Sequence, residues 1–341
     1  MKRRSRKYKK HLLARSRHIM QRLKYRVQKK YIIDSSFTFP HIPKKTVFIE
    51  LEVPSIFKLQ YQYVEAVLEF ISKLKGFSKR HSSIGINILM NKVTDIGEGA
   101  IAMLLSVLEE FKEKRVLVRG NKPENKSAKD ILEKSGFFKY VGGIVSDQNK
   151  VTKNTILKTG AKGTHQKVLA VEIRKAMETV WGIYGRNPCV YSTTVEMMRN
   201  SCDHAFKRPT NIKWHLAVTH DEGANLVKFS FVDNGKGIIR TFTEQSLLVR
   251  VLHYFKDTVD LLETAFTDGI ESRTGLSWRG KGLPTIFENY TDGYIRNLVV
   301  ICNDIYIDFD NNIKVKLKVP FNGTYYYWIV DKNCKKACFT N

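Results

Sequence analysis

The sequence predicts an α/β (α+β) protein of two domains behind a basic N-terminal arm. Three observations carry this expectation. Strand-like and helix-like segments alternate between residues 41 and 148. From Thr164 onward, amphipathic helices combine with β-rich runs punctuated by glycine loops. Positive charge, finally, collects in the first 30 residues. The expected boundaries are an arm over 1–40, a first domain over 41–148, a linker over 149–163 and a second domain over 164–341. A chain of 341 residues with 43% hydrophobic content can bury two cores of ordinary size.

The arm carries Lys2, Arg3, Arg4, Arg6, Lys7, Lys9, Lys10, Arg15, Arg17, Arg22, Lys24, Arg26, Lys29 and Lys30 and no acid, so 25 − 14 leaves a net charge of +11 for the remaining residues. Such a block cannot be a core element, and its natural partners are polyanions. Leu12, Ile19, Leu23 and Val27 follow helical spacing, so residues 12–28 read as a basic helix. Contact with RNA or the phosphate backbone of DNA is expected, because it needs clustered Lys and Arg and no sequence code. The alternatives are a solvated or protein-docking segment and a membrane-surface helix, the latter weakened by a stripe without Trp or Phe.

In the first domain, TVFIELEV, IGINILM and RVLVRG read as strands, and YQYVEAVLEFISKLKGF, EGAIAMLLSVLEEFKEK and SAKDILEKSGFF as helices. This order implies a mixed or parallel sheet. The run from INILM through the helix ending in GF resembles the STAS fold of anti-sigma factor antagonists. Those proteins carry an acceptor serine at the start of the second helix, where this chain has Glu98 and Gly99. Phosphorylation of the loop is therefore not expected, and the resemblance implies a docking or oligomerisation surface. Glu98 reads as an acid favoured by the helix dipole, or as a fixed phosphate mimic. The linker, NKVTKNTILKTGAKG, is polar and lysine-rich.

The second domain opens with the helix THQKVLAVEIRKAMETVWGI, in which Val168, Val171, Ala176 and Val180 are among the apolar positions. In VEMMRNSCDHA, Glu196, Asn200 and Asp203 fall at i, i+4 and i+7 on one polar stripe beside Val195, Met198 and Cys202. FVDNGKGI runs an apolar strand into Asp233, Asn234, Gly235 and Gly237, and the glycines permit positive φ and close approach to a ligand. TGLSWRGKGL places Gly275, Gly280 and Gly282, with Arg279 and Lys281, in a loop that opens a helix at Pro284 and suits an anion. NGTYYYWIV puts Gly323 and Thr324 before a β-rich run.

The order and spacing of these pieces resemble the GHKL family of ATP-binding domains, the fold shared by gyrase, histidine kinases and the MutL repair proteins. The whole chain then reads as a STAS-like α/β domain followed by a GHKL α/β sandwich, a mixed sheet backed by helices. The resemblance implies Glu196 as the base that activates water and Asn200 as the Mg²⁺ ligand, with Asp203 and His204 facing the phosphates or supporting the helix. It makes Asp233 the reader of the adenine amino group, with Gly235 and Gly237 passing under the base. Gly275, Arg279, Gly280, Lys281, Gly282 and Leu283 form the loop that holds the β and γ phosphates, and Thr324 supports adenine through water. His204 also reads as a helix-surface histidine, and Thr324 as an ordinary strand residue. The stretch from Ile238 to Thr274, containing the amphipathic segments LLVRVLHYF and TVDLLETAF, corresponds to the family's ATP lid, or to a helical insertion without a gating role.

The resemblance implies Mg²⁺-dependent ATP binding and slow hydrolysis used as a conformational switch. The alternatives are a serine/threonine-type GHKL kinase acting on a partner and a non-hydrolysing, ATP-bound assembly subunit. Expected partners are nucleic acid at the arm and a protein partner or a second copy; a bacterial defence or stress-response system is one setting that fits. No apolar run reaches the roughly eighteen residues a bilayer span needs, and the arm lacks a signal-peptide apolar core, so a cytoplasmic protein is expected. Cys189, Cys202, Cys302, Cys334 and Cys338 are odd in number and scattered, which argues against a disulfide framework and a zinc site.

Overall fold

A computed structural model describes residues 37–38, 47–77, 84–141, 153–159, 166–203, 214–245, 257–268 and 282–336. The first sheet is four-stranded in the order β1–β6–β4–β2. Strands β2 (Val47–Glu52), β4 (Ile84–Leu89) and β6 (Leu117–Gly120) run parallel to one another, and β1 (Phe37–Thr38), from the end of the expected arm, pairs antiparallel with β6. Parallel neighbours need long crossovers, and these contain helices α1 (Tyr61–Gly76) and α2 (Glu98–Glu113). Just before each helix, β3 (Ile56–Phe57) and β5 (Asp95–Ile96) form a short parallel pair. The helix expected over SAKDILEKSGFF is divided into α3 (Lys126–Lys134) and α4 (Phe137–Val141), because Gly136 takes φ +83 and ends the first piece.

The second sheet is five-stranded in the order β10–β11–β9–β8–β7, with every neighbouring pair antiparallel. Its strands are β7 (Thr155–Thr159), β8 (Trp214–Asp221), β9 (Leu226–Asp233), β10 (Arg296–Asp308) and β11 (Ile313–Val330). Two expectations are corrected here. The described sheet is not mixed, and the expected linker contributes β7, where TILKT pairs along β8 as an edge strand. Thr and Ile are strand formers, and edge strands tolerate lysine on the open side.

Helices α5 (Gln166–Trp181), α6 (Pro188–Asp203), α7 (Ile238–Gln245), α8 (Thr258–Thr267) and α9 (Gly282–Thr291) complete the described elements. Strand alternation assigns the faces of the second sheet. Trp214, Leu216, Phe229, Phe231, Tyr326 and Trp328 share a core with Leu169, Ile173 and Met177 of α5 and Met197 and Met198 of α6. On the other face, Ala217, Val232 and Tyr325 join the core formed by α1, α2 and the first sheet. Helix α2 is thus a shared layer between two sheets. Every residue from Gly99 to Glu109 is buried, which is why AIAMLLSVL shows no polar face.

Polar pairs fasten the layers. Glu109 Oε2 meets His215 Nε2 at 3.0 Å in a buried setting, and Lys228 Nζ stands 3.6 Å from Glu98. Gly99 lies so close to the Tyr325 ring that a Cβ would overlap its hydroxyl. The start of α2, where the acceptor serine of STAS antagonists would sit, is therefore covered by the chain's own second sheet. Ser36–Asn341 form one compact unit. No described helix is long and apolar enough to cross a membrane.

The region expected as a lid is corrected in part. LLVRVLHYF lies outside the described residues, but TVDLLETAF forms α8, whose Leu261, Leu262, Ala265 and Phe266 are all buried. Phe266 packs edge-on against Phe309 and Tyr326. Asp257 caps α8 by accepting from Val259 N at 3.2 Å and pairs with Lys316 at 2.8 Å, which holds its carboxyl down at about 2. This segment belongs to the core.

Candidate functional site

Residues from α6, β9, α9 and β11 converge at one end of the second sheet. Helix α6 buries Val195, Met197, Met198 and Ser201 against the sheet, which turns Glu196 and Asn200, one turn apart, toward the start of α9. There Gly282 packs closely: a Cβ on it would stand 3.0 Å from Glu196 Oε2 and 3.2 Å from Asn200 Oδ1, so that both side chains would have to give way slightly. The other Glu196 oxygen pairs with Arg199 at 3.1 Å. Leu283, next in α9, is buried in the core, where it anchors the helix.

Asp233 ends β9 with 5% exposure. Its Oδ1 accepts from Gly235 N at 2.8 Å and from Thr324 N at 3.3 Å, and its Oδ2 accepts from Ser201 Oγ at 2.8 Å. Burial raises its carboxyl above the ordinary value, and these donors oppose the rise. Gly323, at φ +137, lets β11 press directly on the Asp233 carbonyl and so delivers the Thr324 amide. Thr324 sits within β11, opposite Asp233. Gly237, at φ +84, packs on the Asn303 side chain, which in turn donates to the Lys236 carbonyl at 2.8 Å.

Beneath this group, Tyr326 Oη and Asn200 Nδ2 are buried and complete no hydrogen bond, although the Asn200 amide is near enough to oppose the upward shift that burial gives Tyr326. Cys302 supports the floor, taking the Ile238 amide at 3.0 Å, and burial pushes its thiol up to about 12.

Sequence reasoning thus placed Glu196, Asn200, Asp233, Gly235, Gly237, Gly282, Leu283 and Thr324 on segments that the fold brings together. Asp203 closes α6. His204, Gly275, Arg279, Gly280, Lys281 and the basic residues of the arm lie outside the described residues. Ser201, Tyr326, Asn303 and Cys302 were missed. Ser201 had a usable signal, since it follows Asn200 on the side of α6 that turns inward; the others are visible only once β10 and β11 are paired.

The donor set suits a magnesium-bound polyphosphate. A hard cation takes oxygen ligands and needs one or two from the protein when phosphates supply the rest, and the side chain of Asn200 offers one beside Gly282. Among the described residues no cluster of three His, Cys, Asp or Glu side chains could hold a metal ion by itself. A shallow depression lined by Trp181, Asn225, Lys332 and Cys334 contains none of these residues. No protein-family model matches the chain, and a search of curated proteins finds no match.

Proposed function

We propose that the chain is a GHKL-type Mg²⁺-dependent ATP-binding protein, with a STAS-like first part, that hydrolyses ATP slowly and uses it as a conformational switch. The observation that carries this reading is the meeting of Glu196, Asn200 and Gly282, where a Cβ on the glycine would stand 3.0 Å from Glu196 Oε2, while Asp233 lies buried at the neighbouring strand end. In this assignment Asp233 accepts the adenine amino group, Thr324 and Gly235 fix that acceptor, and Asn200 holds the cation. When bound, Mg²⁺ would neutralise charge on the triphosphate. Glu196 would take a proton from the attacking water, as a general base within reach of the phosphate end. The basic arm is proposed to contact nucleic acid.

Catalysis and binding separate in one experiment. Glu196→Ala should keep ATP affinity and lose about 10² to 10⁴ in phosphate release, because general-base assistance acts on the barrier. Phosphate release equal to that of the wild type would remove Glu196 from the mechanism. Transfer of labelled γ-phosphate to a protein, with little free phosphate, would replace the ATPase reading with a kinase. A kinase acting on its own α2 start is disfavoured, because Glu98 pairs with Lys228 and Gly99 is covered by Tyr325.

A further inference from the structure

The Asp233 corner is held from outside its own sheet. Glu110, near the end of α2, accepts from Asn234 Nδ2 at 3.1 Å across 124 residues of chain. Lys75, in the last turn of α1, stands 3.9 Å from the same carboxylate oxygen, 3.5 Å from the Asn322 carbonyl and 5.2 Å above the Phe321 ring. Both side chains are mostly buried, with 21% and 19% exposure for Lys75 and Glu110. Glu110's second oxygen faces the more exposed Lys114 at 3.7 Å.

These contacts fall on the two backbone segments that flank Asp233. Asn234 follows it directly, at the start of the turn that returns the Gly235 amide to Oδ1. Asn322 precedes Gly323 and Thr324, which press on the Asp233 carbonyl and donate to its carboxylate. One side chain grips each segment, and the two grips are paired with each other. The charge of Lys75 also lies close enough to Asp233 to interact with it, although burial is what chiefly lowers the lysine's pKa.

We propose that Lys75 and Glu110 are positioning residues for the purine end of the nucleotide site, so that the first-sheet part of the chain sets the preference for adenine. This rests on the reading of Asp233 as the adenine acceptor. Adenine presents an amine to a carboxylate, whereas guanine presents a carbonyl oxygen that the same carboxylate repels. Such discrimination is large only while the acceptor is held fixed, since a loosened acceptor can turn away from the wrong base. The Lys75–Glu110 pair supplies that restraint from the ends of α1 and α2.

The test compares Mg·ATP and Mg·GTP affinity, by calorimetry on the full chain, in Lys75→Met, Glu110→Ala, the conservative Lys75→Arg and the swapped pair Lys75→Glu/Glu110→Lys, with thermal unfolding alongside. The expected result is a rise of about fivefold to tenfold in the ATP dissociation constant for the two single losses, the size of a lost charge-assisted hydrogen bond, with GTP nearly unchanged. Lys75→Arg should keep the preference. The swapped pair should not regain it, because a carboxylate cannot donate to the Asn322 carbonyl and an ammonium cannot accept from Asn234 Nδ2. An unchanged ATP to GTP ratio in both single variants, or equal losses for both nucleotides tracking a fall in Tm, would overturn the proposal. Should Lys75→Met or Glu110→Ala fail to fold, Lys75→Arg and Glu110→Gln carry the comparison, and a Glu110→Gln protein with undiminished preference overturns it. If the wild type binds neither nucleotide, the adenine reading fails first and this inference falls with it.

Discussion

Ser201 Oγ donates to Asp233 Oδ2 at 2.8 Å and so pins the helix that carries Glu196 and Asn200 to the strand end that carries the buried carboxylate. The two halves of the proposed site, one facing phosphates and one facing the base, therefore share a rigid floor. A hydrogen bond from a buried hydroxyl to a buried carboxylate is strong and costly to break, because each partner left alone keeps its desolvation penalty. Ser201→Ala should weaken ATP binding by about tenfold and lower stability by roughly 1–3 kcal/mol, read by calorimetry and denaturant titration.

The ionisation of Asp233 makes a pH prediction. Burial raises its carboxyl above the unfolded value, so this group's contribution is fully present at low pH and is lost as the pH climbs from the ordinary carboxylate range near 3.8 through the folded value. Asp233→Asn cannot ionise. It should flatten that part of the stability profile, hold its Tm at pH 7 and still lose nucleotide binding. A steep fall in Tm at pH 7 for the amide would show that the charge itself supports the fold.

Gly282→Ala places a methyl 3.0 Å from Glu196 Oε2 and 3.2 Å from Asn200 Oδ1. The displacement should reduce Mg·ATP affinity and turnover together, while overpacking costs about 1–3 kcal/mol of stability at most. Nucleotide affinity equal to that of the wild type would show that the start of α9 is not part of the site.

Gly99→Ala tests the shared layer. A Cβ there overlaps the Tyr325 ring, which lies in the core common to both sheets. A loss of about 1–3 kcal/mol is expected in a single cooperative unfolding transition, because neither sheet can yield without the other. Two separate transitions would mean that α2 is not a common core element.

Deleting residues 1–30 removes fourteen positive charges. Binding to RNA or DNA should fall steeply with salt in the full chain, by about 0.9 in logarithmic slope for each duplex phosphate neutralised, and nearly all of that slope should vanish on deletion while ATP affinity persists. Nucleic-acid affinity that survives the deletion would move the contact elsewhere.

Much of the fold was legible because it is written in local period. The strands and helices of the first sheet follow from alternation and amphipathic spacing, and the turn after Asp233 and the start of α9 follow from glycines placed after a strand and before a helix. β7 was hidden because TILKT is flanked by lysine and glycine, which read as a linker until β8 offers it an edge. Helix α2 was legible as a helix, but its burial on every side was not, because most of the second sheet that covers it is supplied by β8, β9 and β11, from Trp214 onward. The pairs Glu110–Asn234 and Lys75–Asn322, 124 and 247 residues apart, leave no trace in any local pattern. They exist only because α1 and α2 end beside the turn after β9.

The central claim, a nucleotide site formed by Asp233, Asn200 and the start of α9, is tested most directly by calorimetric titration of the full chain with ATP, with and without Mg²⁺, alongside Asp233→Asn and Asn200→Ala. Binding that depends on Mg²⁺ is expected in the wild type, with loss of that binding in Asp233→Asn and a weakening of more than tenfold, about 1.4 kcal/mol, in Asn200→Ala. Affinity that is indifferent to Mg²⁺ and unchanged in both variants, or no binding by a folded wild-type protein, would contradict it.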